Sequence, residues 1–269
     1  MTSSASFRCR SFFSLCLSLC LVFPQLASAA TVVSVTDGDT IKLSDGNSVR
    51  YVGINTPERG KPFYEDAKRL NEKLLLGKEV RLELNRRPRD RYGRLLARVY
   101  VGDTLVNARL VAEGLAHVYI MDAFDQAEAW IQLQKTAQTQ RKGMWREGVP
   151  GRLRITRLQA DAPGDDRKNP NGEYVRLCNV SDTPLDLTGF ALQDNARHRY
   201  VFPGGILKPG YVATLNSGPG RNALSNPRSL SFHWGGGPIW NNDEDVATLF
   251  APDGKLIDTF RVGGKEAEE

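Results

Sequence analysis

Apolar residues recur at helical spacing in three places in this chain, and all three lie before Gly143. Phe63, Ala67, Leu70 and Leu74 form one stripe, opened by Pro62 and stopped by Gly77. Val106, Leu110 and Val111 form a second behind a cap at Asp103 or Thr104, ending at Gly114, and a third runs from Phe124 to Lys142. Beyond Gly151 that spacing vanishes, and short β-rich runs alternate with turns. A chain of 269 residues exceeds the common single-domain size. The change of texture therefore predicts two domains, joined by a linker over residues 148–151 that holds Pro150 and Gly151.

In the first half, β-rich segments at Thr31 to Val35, Thr40 to Leu43 and Val49 to Ile54 are separated by the turns Thr36-Asp37-Gly38-Asp39 and Ser44-Asp45-Gly46-Asn47. After the first helix, Glu79 to Leu84 and Leu95 to Val101 read as two more strands with an arginine-rich loop between them. Five strands with a helix between the third and fourth is the order of an OB-fold barrel. The second half offers strands at Tyr174 to Val180, Gly189 to Leu192, Tyr211 to Leu215, Val246 to Phe250 and Leu256 to Phe260. Turns mark it at Pro170-Asn171-Gly172, Pro209-Gly210 and Pro252-Asp253-Gly254, which predicts an immunoglobulin-like β-sandwich. The predicted class is thus mainly β with some α: a five-stranded barrel with three helices over residues 31–147, a sandwich over 152–262, and a tail over 263–269.

Residues 1–30 stand apart. Arg8 and Arg10 precede an apolar run from Ser11 to Phe23, and Ala27-Ser28-Ala29-Ala30 supplies small residues for cleavage after Ala29 or Ala30. This reads as a secretory signal peptide and implies a secreted or periplasmic mature chain. A retained membrane span is excluded by length, since spanning takes about 20 apolar residues and Pro24 interrupts the run. Three of the four cysteines lie in this leader, so Cys178 alone remains and no intramolecular disulfide can form. Within the apolar run Tyr174 to Val180 it is expected to be a small buried side chain.

Residues 31–150 hold 20 basic and 16 acidic side chains, a balance of +4, whereas residues 151–269 balance at −1. The basic excess of the first half favours a polyanionic partner. Chemistry concentrates between Asp37 and Glu58, where Asp37, Asp39, Arg50 and Glu58 fall in a short run of strands and tight turns. Carboxylates for a divalent cation, an arginine for an anion and a glutamate for proton transfer are the parts of phosphodiester hydrolysis. Arg86, Arg87, Arg89, Arg91, Arg94 and Arg98 would raise the local concentration of a polyanion. His117, His198 and His233 show no metal-ligand spacing, and Asn241 to Asp245 lacks the order of a calcium loop.

DGDT at Asp37 to Thr40, VRYVGINTPE ending at Glu58, RYGR at Arg91 to Arg94 and LVAEGLA at Leu110 to Ala116 resemble the staphylococcal nuclease (thermonuclease) family over about residues 31 to 146. The resemblance implies an OB-fold enzyme that uses Ca²⁺ to hydrolyse DNA and RNA to products with 3′-phosphates. It implies that Asp39, Asn55 and the Thr56 carbonyl ligate the metal, that Glu58 orients or deprotonates the attacking water, and that Arg50 and Arg94 grip the phosphate. Arg91 and Tyr92 become substrate-contact candidates, and Asp37 a turn residue or a support behind the ligands. The family usually has aspartate where this chain has Asn55, which removes one negative charge and implies weaker metal binding.

Residues 152 to about 262 resemble a lamin tail domain through YVRLCNVSDTPLDLTGFALQD at Tyr174 to Asp194, Tyr200-Val201-Phe202-Pro203 and Leu207-Lys208-Pro209-Gly210. No catalytic constellation occurs there, and the expected role is to tether the enzyme to a polymer, surface or envelope partner, or to add DNA contacts. The Trp234 to Trp240 loop, with Gly235, Gly236 and Gly237, reads as packing rather than a ligand site. Two other function classes compete, a non-catalytic nucleic-acid-binding module and a cell-envelope adhesion protein. Binding alone has no use for Glu58 beside phosphates, which favours the enzyme.

Overall fold

The structure, a computed structural model, describes residues 30–147 and 151–263. The leader with its cleavage site, most of the linker and most of the tail fall outside those residues.

The first domain runs β1 (Ala30–Asp37), β2 (Thr40–Leu43), β3 (Ser48–Tyr51), β4 (Gly53–Asn55), α1 (Tyr64–Leu75), β5 (Glu79–Arg89), β6 (Leu95–Val101), β7 (Thr104–Leu105), α2 (Val106–Ala112), β8 (His117–Tyr119) and α3 (Ala127–Thr139). Strands pair in the order β3-β2-β1-β5-β6, and a parallel β3–β6 ladder, Val49 opposite Leu95 to Tyr51 opposite Ala97, closes the barrel. Alternation explains the closure. Val32, Ile41, Val49, Tyr51, Ala97 and Val99 point inward and are buried, so each strand has one apolar face to hide.

Four details depart from the sequence reading. The strand over Val49 to Ile54 breaks at Gly53, whose φ is 78°. A Cβ there would lie 2.6 Å from the Trp130 ring of α3, so the position needs glycine for conformation and for space. The far side of the break, β4, pairs with β8 through Ile54 opposite Val118, a strand without any signal of its own. Next, β5 continues to Arg89 because Arg89 pairs with Leu95 beyond a bulge, so Arg86, Arg87 and Arg89 are strand residues and only Asp90 to Arg94 turn. Then Thr104–Leu105 pairs with β6, and α2 starts after Leu105 with no side-chain cap from Asp103 or Thr104. Finally α3 is shorter than predicted at both ends. Phe124 packs on Trp130 with ring centroids 4.8 Å apart, and Arg141, at φ 52°, has already left the helix before Gly143.

The second domain holds β9 (Leu153–Gln159), β10 (Tyr174–Asn179), β11 (Leu185–Asp186), β12 (Ala191–Gln193), β13 (Arg199–Val201), β14 (Ile206–Leu207), β15 (Val212–Asn216), β16 (Ser229–His233), β17 (Glu244–Phe250) and β18 (Leu256–Gly263). Two four-stranded sheets, β16-β15-β10-β9 and β13-β12-β17-β18, form the sandwich. Between them lie Val175, Leu177, Leu192, Phe202, Phe232 and Leu249, all buried. The tryptophan loop packs as expected: Trp240 is buried against Trp234, and the Ile239 N–H donates to Glu173 Oε2 at 2.8 Å.

The sandwich is seated on the barrel. The Ile120 N–H donates to the Gly210 carbonyl at 2.7 Å, and a Cβ on Gly210 would meet Val118 at 2.8 Å. Gln134 of α3 is 1% exposed; its Oε1 accepts the Val118 N–H at 2.7 Å while its Nε2 donates to the Val180 carbonyl at 2.8 Å. A buried amide satisfied at both ends fixes two surfaces at once. Beside it Cys178, Val180 and Val212 join Ala137 and Trp145 in one apolar cluster. Cys178 is thus buried, as read from the sequence, and burial pushes its thiol above the ordinary range.

Candidate active site

Asp37 and Asp39 sit where β1 turns into β2. Asp37 Oδ1 accepts the Asp39 N–H at 3.0 Å, the Asx geometry that lets aspartate hold a tight turn; of the turn and support roles given to Asp37, this bond is that of the turn. Asp39 is 5% exposed. Its Oδ2 accepts the Thr56 N–H at 2.9 Å and its Oδ1 meets Arg50 Nε at 3.1 Å. Burial pushes its carboxyl up to about 7, with Asp37 adding to the rise while Arg50 and the Thr56 N–H oppose it.

Arg50 projects from β3, which pairs it with Thr40. Its Nη2 donates to Asn55 Oδ1 at 2.9 Å and its Nη1 to the Ile54 carbonyl at 3.0 Å and to the Tyr51 carbonyl. One guanidinium therefore collects the side-chain oxygens of both Asp39 and Asn55. Those two oxygens, with the carbonyl of adjacent Thr56, fit a hard cation. Among the described residues no group of three or more His, Cys, Asp and Glu is placed to hold a metal. In that set Asp39 would supply the carboxylate, and Asn55 and the Thr56 carbonyl the neutral oxygens.

Glu58 follows Pro57 on the turn after β4 and keeps contact with solvent from the cleft. The surrounding protein mass nevertheless raises its carboxyl above the ordinary range. Arg50 opposes that rise, Asp37 adds to it, and Arg157 and Arg94 pull it down. A solvent-contacting glutamate with a raised pKa among arginines is suited to accept a proton from water in the cleft.

Arg94 is held by Asp90, an acid within the arginine-rich run. Asp90 Oδ1 accepts the N–H groups of Tyr92 and Arg94 at 2.9 and 3.0 Å, and Oδ2 takes Arg94 Nε at 2.8 Å. Burial raises the Asp90 carboxyl, but the hydrogen bond and charge of Arg94 outweigh it and hold it below the usual range. Arg91 donates to the Tyr92 hydroxyl at 2.6 Å and to Gln159 of the second domain. Tyr92 is 57% exposed.

All eight sequence-predicted residues, Asp39, Arg50, Asn55, Thr56, Glu58, Arg91, Tyr92 and Arg94, line one cleft of about 560 Å³. Eight arginines and five carboxylates line it altogether, a positive excess suited to a polyanion. The sequence reading missed its far wall, which is Thr156, Arg157, Tyr174 and Arg176 of the second domain. The available signal was alternation: Leu-Arg-Ile-Thr-Arg-Leu-Gln in β9 and Tyr-Val-Arg in β10 carry arginines with no acid beside them. His117 is buried and bonded to the Val118 carbonyl at 3.0 Å, and burial lowers it to about 4, consistent with a structural role.

Both halves of the chain have counterparts among known proteins. Residues 48–147 match the model of the family described as staphylococcal nuclease homologue, and residues 147–264 match that of the lamin tail domain. A thermonuclease of Staphylococcus intermedius is 40% identical over 124 residues, which cover 42% of this chain and 74% of that protein. The thermonuclease of Staphylococcus hyicus is 36% identical over 124 residues, 42% and 73%. An uncharacterized endonuclease of Haemophilus influenzae is 34% identical over 143 residues, 49% and 78%. With its closed five-stranded barrel, its arginine-lined cleft and these relatives, the chain belongs to the staphylococcal nuclease family, as a nuclease whose barrel is followed by a lamin tail domain.

Proposed function

We propose that this protein is a calcium-dependent phosphodiesterase that hydrolyses DNA and RNA outside the cytoplasm. The observation that carries the reading is the single cleft shared by Glu58, Arg50, Arg94 and the Asp39–Asn55 oxygens. In it Asp39, Asn55 and the Thr56 carbonyl would hold Ca²⁺, which would supply Lewis-acid polarisation of a phosphoryl oxygen. Glu58 takes a proton from the water whose oxygen attacks phosphorus. The P–O5′ bond breaks and the departing oxygen takes a proton from solvent water, leaving a 3′-phosphate and a 5′-hydroxyl. Arg50 and Arg94 bind the non-bridging oxygens through their planar forks as charge grows there. Asp90 keeps Arg94 aimed, and Arg91 and Tyr92 contact the neighbouring substrate.

Secretion rests on the leader read from residues 1–30. Ala30 is buried and paired with Val80 in β1, so cleavage after Ala29 leaves the first barrel strand whole. Among the described residues no helix is long and apolar enough to cross a membrane. We place the domain boundary in residues 148–151.

Degradation of plasmid DNA and of RNA in millimolar Ca²⁺ and in EDTA, with wild type and Glu58→Gln, tests the reading. Cleavage by wild type in Ca²⁺ only, with little by the variant, is expected; wild type inert in Ca²⁺ overturns it.

A further inference from the structure

Arg157 of β9 and Arg176 of β10 are direct cross-strand partners. Like charges placed opposite each other destabilise a strand pair, so such a pair calls for an anion. Among the described residues neither arginine is in an ion pair. Arg157 Nη2 donates only to neutral oxygens, the Tyr92 hydroxyl at 2.9 Å and Gln159 Oε1 at 3.0 Å. Arg176 Nε is buried without a hydrogen-bond partner. The domain that carries them is slightly acidic as a whole, so the local positive charge is not a matter of average composition.

Their position is equally specific. Both line the cleft that holds Glu58, Arg50 and Arg94, and the bonds through Gln134 and Ile120 fix the sandwich on the barrel so that this wall stays in place. The Tyr174 ring lies between guanidiniums of both domains, with Arg176 Cζ at 4.6 Å and Arg91 Cζ at 5.6 Å from its centroid. Paired guanidiniums beside aromatic rings, here the exposed Tyr92 and the half-buried Tyr174, are how single-stranded nucleic acid is held without base reading.

We propose that Arg157 and Arg176 form a second phosphate subsite, which binds a backbone phosphate flanking the scissile one, with Tyr174 and Tyr92 as stacking platforms for the adjacent bases. The proposal rests on the nuclease reading above and gives the lamin tail domain a part in binding the substrate strand. The favoured substrate is accordingly single-stranded and several nucleotides long.

The test uses the full chain with Arg157→Gln/Arg176→Gln and Arg157→Lys/Arg176→Lys. Fluorescence anisotropy of a labelled 20-nucleotide DNA strand, titrated in EDTA at several salt concentrations, reads the subsite without catalysis. The Gln pair is expected to weaken binding at least tenfold and to reduce the log–log salt slope by about 0.7 for each phosphate no longer neutralised. The Lys pair, which keeps the charge, should recover most of the slope, and this also excludes simple misfolding of the Gln pair. In Ca²⁺, the KM ratio of the 20-mer to a mononucleotide nitrophenyl diester should rise at least tenfold in the Gln pair. Unchanged affinity and slope in both variants, or an unchanged KM ratio, would overturn the subsite. Wild-type failure to cleave even the small diester would instead overturn the nuclease reading, and the binding titration would still decide the subsite.

Discussion

The two walls of the cleft hold their arginines differently. On the barrel wall three of them are tied to acids, Arg50 to Asp39 at 3.1 Å, Arg94 to Asp90 at 2.8 Å and Arg98 to Glu83 at 2.6 Å. On the sandwich wall Arg157 and Arg176 face the cleft without any. A carboxylate partner lowers net charge but fixes direction, which chemistry at one phosphorus atom requires. A guanidinium without a carboxylate partner attracts a polyanion while tolerating variation in where it lies. The barrel wall thus fixes Arg50, Arg94 and Arg98 in direction, while the sandwich wall holds Arg157 and Arg176 without a carboxylate.

Substitutions on the barrel wall should therefore act mainly on turnover. Glu58→Gln is expected to lower the saturated cleavage rate by about 10² to 10⁴, the usual weight of a general base, with single-strand affinity kept. Arg94→Lys keeps the charge but loses the fork and should cost about 10² to 10³ in rate. A loss confined to KM would break the contrast between the walls. Asp90→Asn leaves Arg94 in place but less firmly aimed, and a drop on the order of tenfold is expected from the looser geometry.

Smaller effects sharpen the picture of the metal side. Asn55→Asp adds a second carboxylate and should improve apparent calcium affinity several-fold in a titration of activity; no gain would mean that Asn55 does not weaken metal binding. Because Asp39 is raised to about 7, protons compete with the cation. The calcium requirement should therefore ease as pH rises through about 7. His117 has the opposite sign. Its folded value of about 4 lies below its unfolded 6.5, so its contribution is present above 6.5 and lost as pH falls to 4. That window is worth about 3 kcal/mol and should be missing from denaturant titrations of His117→Gln.

Much of the barrel was legible because its signals are local. Asp37 to Thr40 is a turn by composition, the strands alternate, and the residues of the chemistry fall within two short stretches. The break at Gly53 was not legible, since it depends on Trp130 arriving from α3 more than seventy residues later. Strand β8 was hidden for a related reason: three residues pair only because β4 offers an edge. Asp90 sat in an arginine-rich run where any acid looks like charge balance, and only its three hydrogen bonds distinguish it. The far wall was least legible of all. Arg157 and Arg176 lie in strands whose outward residues would ordinarily face water, and the docking of Cys178 and Val180 on the barrel turns that face into the cleft.

The central claim is that Glu58, open to solvent in the cleft and held among arginines, is the base of this cleft. The acid limb of the single-turnover rate tests it most directly, measured on saturating single-stranded DNA at saturating calcium, where proton competition at Asp39 is suppressed. Ionised Glu58 is the active form and its pKa is raised, so activity should fall on acidification with a midpoint above the ordinary glutamate range. The limb should disappear from the residual activity of Glu58→Gln. A variant that keeps the wild-type rate and the wild-type limb would contradict the account.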